Sequence, residues 1–81
     1  MERIESIVTS ALVKRIVEDS ENFLTIPKLA EKIKTETNGG FIRRKIIERL
    51  SQMEKSGFFC LEERLIHDAL YQYERVIVLS S

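Results

Sequence analysis

Residues 23–59 decide the fold, and they read FLTIPKLAEKIK (23–34), TETNGG (35–40) and FIRRKIIERLSQMEKSGFF (41–59). In the first block a threonine and a proline precede apolar residues at helical spacing, which is typical of a helix start. Asn-Gly and Gly-Gly interrupt the helical pattern. The sequence therefore predicts one helix from about Ile26 to Lys34 and a longer one from about Phe41 to Ser56.

The longer helix is amphipathic. Its predicted core stripe contains Ile42, Ile46, Leu50 and Met53, and its opposite side contains Arg44, Lys45, Glu48, Ser51, Gln52 and Lys55. Residues 41–56 carry five basic side chains against two acidic ones, whereas residues 1–40 carry six against seven. Gly57 fits a left-handed cap after the last turn. The net charge of the chain is zero, so the basic surplus is local to this helix.

Two segments flank this pair of helices. Residues 2–19 show apolar residues at helical spacing and predict a first helix with a wide apolar face. Residues 58–63 and 70–79 are rich in strand formers and predict the two strands of a hairpin, with residues 64–69 as its tip. The same segment also fits a helical stripe and lacks a turn residue after Gly57, so a C-terminal helix is the alternative. Cys60, between aromatic and leucine residues, is expected to be buried.

The bulk composition limits the possible classes of protein. The 81 residues, of which 43% are hydrophobic and 32% charged, predict one globular domain over residues 1–81. No apolar run is long enough to cross a membrane and we expect no secretion signal, so a cytoplasmic location is predicted. Few thermolabile residues with many Glu, Lys and Arg suggest an archaeal or viral source. We find no phosphate-binding loop, metal-ligand cluster or nucleophile triad, and expect neither an enzyme nor a cofactor or metal.

The segments Leu29-Ala30-Glu31-Lys32-Ile33 and Leu50-Ser51-Gln52-Met53-Glu54-Lys55-Ser56-Gly57-Phe58 give the chain a family resemblance. Over about 35 residues it resembles winged helix-turn-helix domains, and it looks most like small single-domain members from archaea or their viruses. The resemblance implies a mainly α fold with a small β-hairpin wing. It also implies that helix 41–56 is the recognition helix, which enters the major groove by its N-terminal half.

That resemblance implies a set of DNA-binding residues. Arg43, Arg44 and Lys45 would contact bases or phosphates, and Ser51 and Lys55 would touch the backbone. Thr37 and Asn38 would donate to phosphate. Arg64 would reach DNA from the wing tip, where His67 is expected to be a surface residue. A plain solvated helix face is the alternative for the three cations. Glu48 could read a cytosine amino group, pair with Arg44 or repel phosphate.

The sequence leaves two main functions open. The first is sequence-specific binding of double-stranded DNA by a transcription regulator, built as a homodimer through the first helix or the C-terminal segment. The second is a protein-protein interaction adaptor in a transcription, replication or membrane-remodelling complex, which the zero net charge and the acidic residues 57–81 favour. RNA or ribosome association is a weaker third possibility.

Overall fold

Four helices and one β-hairpin make up the computed structural model, which describes residues 3–67 and 72–80. The helices are α1 (Ile4–Ile7), α2 (Ser10–Asp19), α3 (Ile26–Glu36) and α4 (Arg43–Lys55), and the strands are β1 (Phe59–His67) and β2 (Gln72–Leu79). The two strands pair antiparallel. The predicted fold class, mainly α with a small β-hairpin wing, is therefore confirmed, and the alternative of a C-terminal helix is wrong.

The single helix predicted over residues 2–19 is divided, from Ile4 onward, into α1 and α2. Thr9 begins the second helix, because its hydroxyl oxygen accepts a hydrogen bond from the Leu12 N–H at 3.1 Å. Threonine is better suited to this capping position than to a helix interior. Val8, just before the cap, is fully buried. The break therefore combines a local capping signal with an anchored apolar side chain.

Helix α3 begins as predicted and ends two residues later than predicted. The Thr25 hydroxyl oxygen accepts from the Lys28 N–H at 3.4 Å. The helix ends where Asn38 and Gly39 adopt φ of 55° and 72°. The Gly39 N–H then donates to the Lys34 carbonyl at 2.8 Å, which is the bonding of a left-handed helix end. The predicted break therefore begins two residues later than expected.

Helix α4 begins two residues later than predicted, and Ile42 is its N-cap. Ile46, Leu50 and Met53 are buried, as the predicted stripe requires, but Ile42 is 57% exposed. Its assignment to the core is wrong, because it precedes the helix and does not share the helical phase. Gly57 has φ of 84°, and the Phe58 N–H donates to the Met53 carbonyl at 3.0 Å. The predicted left-handed cap is confirmed.

The hairpin packs one of its faces on the helices. Phe59 and Ile77 are buried in the core cluster. Successive strand residues point to opposite faces, so Cys60 lies on the other face, and it is exposed. The prediction of a buried thiol is wrong. The Ile77 N–H also donates to the Leu24 carbonyl at 2.8 Å, which ties the segment before α3 to the far edge of β2.

The predicted wing tip is only partly described. Arg64 lies within β1, directly opposite Glu74, so its assignment to the tip is wrong. His67 ends β1, and Asp68, Ala69 and Tyr71 lie outside the described residues. Strand β1 is longer than expected, because the sequence after Glu63 has no residue that would end it.

One core joins the helices to the base of the hairpin. The buried cluster contains Val8, Val13, Ile16, Leu24, Leu29, Ala30, Ile33, Ile46, Leu50, Met53, Phe59 and Ile77. Because one side of α4 packs in this cluster, the opposite side of the helix is exposed. In residues 3–67 and 72–80, no helix is both long and apolar enough to cross a membrane.

Candidate nucleic-acid interface

The N-terminal end of α4 differs from those of α2 and α3. Thr9 and Thr25 cap the latter two with side-chain hydrogen bonds, but Ile42 gives α4 no such bond. Like the first turns of α2 and α3, that of α4 contains no acidic residue. The N–H groups of Arg43 and Arg44 are therefore left without an acceptor inside the helix.

Three cations occupy this uncapped end. Arg43, Arg44 and Lys45 are the first three residues of α4, and all are exposed. Positive side chains here oppose the positive end of the helix dipole, at a cost of about 0.3–1 kcal/mol each. An arrangement that costs stability without a structural benefit is expected at functional sites. Together the cations and the N–H groups would suit an anion such as a phosphate.

The structure gives weak ion pairs to two of the three cations. Arg43 Nε lies 3.9 Å from a carboxylate oxygen of Glu31 in α3. Lys45 Nζ lies 3.6 Å from Glu48, so Glu48 pairs with Lys45 and not with Arg44. Such exposed pairs contribute little energy and can be exchanged for other partners. Among the described residues, Arg44 makes no ion pair.

An exposed row extends from Arg44 along α4. At 3.6 residues per turn, Ser51 and Lys55 lie within about 20° of Arg44 around the helix axis. Both are exposed, and Lys55 lies about 16 Å from Arg44 along the axis. Glu48 lies within the same row. We call the exposed residues Ile42, Arg43, Arg44, Lys45, Glu48, Ser51 and Lys55 the α4 face.

Thr37 and Asn38 lie at the end of α3. The Thr37 hydroxyl donates to the Ile33 carbonyl at 3.0 Å, so its single proton is already used within the helix end. Its predicted donation to phosphate would have to replace this bond. Asn38 is exposed at a left-handed position. Its amide side chain is therefore the more accessible of the two predicted donors.

Arg64 is separate from the α4 face. It lies with Cys60 and Glu62 on the hairpin face opposite the core. One of its terminal nitrogens lies 2.8 Å from a Glu62 carboxylate oxygen, and its guanidinium lies 5.2 Å from the centre of the Phe23 ring. These contacts give Arg64 a structural role that its predicted tip position did not suggest.

Arg49 also has a structural role, which the sequence did not indicate. Its Nε donates to the Val8 carbonyl at 2.9 Å, across 41 residues of sequence. Thus one of the five cations in residues 41–56 serves the fold. Its place beside the core residues Ile46 and Leu50 on the helical wheel was the available signal.

Ile42 is a further residue that the sequence places wrongly, and the helical wheel could not reveal its exposure, because the predicted helix starts two residues too early. Exposed beside Arg43, its apolar side chain adds a contact surface to the α4 face.

Comparisons with protein-family models, with curated proteins and with solved structures find no match for this chain.

Proposed function

We propose that this chain binds double-stranded DNA through the α4 face, as a sequence-specific transcription regulator of the cytoplasm. The observation that carries the proposal is the start of α4, where the first three residues are exposed cations and no side chain caps the helix N–H groups. A phosphate or a base edge would accept hydrogen bonds both from the cations and from the uncapped N–H groups. The fold class supports the proposal, because a helix presented beside a hairpin is the arrangement used by winged helix readers.

The α4 face offers chemistry for both affinity and sequence discrimination. Arg44 can contact guanine O6 and N7 in a bidentate way, and Ile42 can contact a thymine methyl group. Ser51 and Lys55, further along the row, are suited to the phosphate backbone. Glu48 in the same row would repel phosphate or accept from a cytosine amino group. A face that carries both signs of charge favours binding to a particular DNA sequence over equal binding to every duplex.

Selection from a randomised duplex pool tests this proposal. The purified chain should enrich a defined motif, and Arg44→Ala should lose that enrichment. Lys14→Ala, which removes an exposed cation from α2, is the matched control and should retain it. A pool that shows no enrichment with the intact chain would contradict sequence-specific binding.

The hairpin favours a second candidate function, a protein-interaction adaptor. The described part of the hairpin carries Glu62, Glu63 and Glu74 against two arginines, and Arg64 is engaged by Glu62 and Phe23. Leu65 and Tyr73, which face each other across the strands, are 40% and 62% exposed. An acidic hairpin with an apolar pair suits a protein partner better than a phosphate backbone. Recovery of a stoichiometric protein after nuclease treatment would support this function over the first.

A further inference from the structure

One edge of the hairpin is open in the described part of the chain. Strand β1 pairs with β2 alone, and the Leu24 carbonyl occupies the far edge of β2. Among the described residues, no backbone group bonds to the other edge of β1. An open edge strand presents a row of N–H and C=O groups to which another strand can pair.

The hydrogen bonds reveal which residues of β1 direct their backbone N–H and C=O groups to this open edge. Paired residues in an antiparallel ladder alternate between bonded and non-bonded positions. The Ser80 N–H bonds to the Phe58 carbonyl, whereas the Ile77 N–H points away from β1 to Leu24. Residue 58 is therefore at a bonded position and Leu61, opposite Ile77, at a non-bonded one. The alternation directs the backbone groups of Phe59, Leu61, Glu63 and Leu65 to the open edge.

We propose that two copies of this chain pair through their β1 edges, antiparallel and with the twofold axis at Glu63, to form a continuous four-stranded sheet. Leu61 of each copy then lies opposite Leu65 of the second copy. Their outward N–H and C=O groups bond to each other, and the pairing covers the exposed Leu65 side chain. Twofold symmetry makes every one of these contacts twice.

Charge complementarity selects this register. With the axis at Glu63, Glu62 lies opposite Arg64 of the second copy, and both side chains are on the outer face of the sheet. The existing Glu62–Arg64 pair at 2.8 Å would become a network of four alternating charges. Shifting the register by two residues in either direction would place Glu62 or Arg64 opposite its own copy. Each of those registers has a like-charge pair on the axis, as this one has at Glu63, but loses both of the Glu62–Arg64 pairs between copies.

Glu63 itself meets its own copy in this register. The cost is reduced because Arg75 lies directly opposite Glu63 across the hairpin, on the same face. The dimer requires no contact from the α4 face. Its existence is therefore independent of the DNA-binding proposal, and each can fail without the other.

Disulfide trapping tests the register directly. In a Cys60→Ser background, Glu63→Cys would place two cysteines at the twofold axis, with Cα atoms about 5.5 Å apart, within the range for a disulfide. Mild oxidation should produce a covalent dimer. Glu74→Cys in the same background is the matched control, since it removes the same charge from an exposed residue of β2, and it should cross-link far more slowly. Equal rates for the two variants would overturn the proposal.

Sedimentation provides the second measurement. The intact chain should be dimeric at tens of micromolar. Glu63→Pro removes an N–H that points to the open edge and leaves the bonds between β1 and β2 intact, so it should yield monomers with an unchanged circular dichroism spectrum. A strictly monomeric intact chain, or a dimer that survives in folded Glu63→Pro, would overturn the proposal.

Discussion

One hydrogen bond joins the middle of α4 to the break between α1 and α2: Arg49 Nε donates to the Val8 carbonyl at 2.9 Å. The acceptor lies at the break between α1 and α2, where no helical N–H can serve it. Val8 is fully buried. The contact therefore satisfies a carbonyl group at the break and holds α4 against it.

Removing this bond should lower stability. Arg49→Ala leaves the Val8 carbonyl without its charged donor, and we expect a loss of about 1–3 kcal/mol in the free energy of unfolding. Urea denaturation measures the change. Arg44→Ala on the same helix is the matched control and should stay within about 0.5 kcal/mol, because Arg44 is exposed and makes no described ion pair. Equal destabilisation by both substitutions would contradict this role of Arg49.

A side-chain cap at the start of α4 should raise the stability of the chain and weaken its binding to DNA. Ile42→Ser and Ile42→Asp introduce the side-chain acceptor that α4 lacks, and each should raise the free energy of unfolding by about 0.5–2 kcal/mol. Both should weaken duplex binding, because the cap occupies the N–H groups. The aspartate should weaken it more, since its charge pairs with the neighbouring cations. Urea denaturation and fluorescence anisotropy measure the two effects, and an unchanged duplex affinity would contradict the assignment of this helix end.

Gly57 should tolerate asparagine better than alanine. Its φ of 84° is left-handed, and a Cβ there would meet no atom within 4 Å, so the cost of substitution is conformational. We expect Gly57→Ala to cost about 1 kcal/mol. Gly57→Asn should cost less, because asparagine visits this region more readily. Thermal unfolding of both variants measures the two losses of stability, and equal losses would contradict a left-handed cap at Gly57.

The features predicted correctly from the sequence depend on local chemistry. The Thr25 cap and the Gly57 cap each require only residues within one helical turn. The features predicted wrongly or missed depend on strand phase, helix boundaries or distant contacts. The apolar neighbours of Cys60 predict a buried side chain, but its position within the strand directs it to the opposite face. Arg49 lies beside the core on the helical wheel, but no local pattern identifies its partner, a carbonyl 41 residues away.

Arg64 should matter for stability more than for DNA binding. Its contacts with Glu62 and Phe23 are partly exposed, so Arg64→Ala should cost about 1 kcal/mol or less. Duplex affinity should change little, because Arg64 lies on the hairpin and is not part of the α4 face. Anisotropy titration compares this variant with Arg44→Ala. If Arg64→Ala weakened binding as strongly, the wing would belong to the interface.

The salt dependence of duplex binding tests the central claim most directly. The affinity of the intact chain should fall steeply between about 50 and 200 mM salt, because cations that contact phosphates release counterions. Arg44→Glu should weaken binding strongly and flatten the salt slope, whereas Lys14→Glu, an equal charge change on α2, should preserve both. Absence of binding at about 50 mM salt, or equal losses in the two variants, would contradict a DNA-binding α4 face.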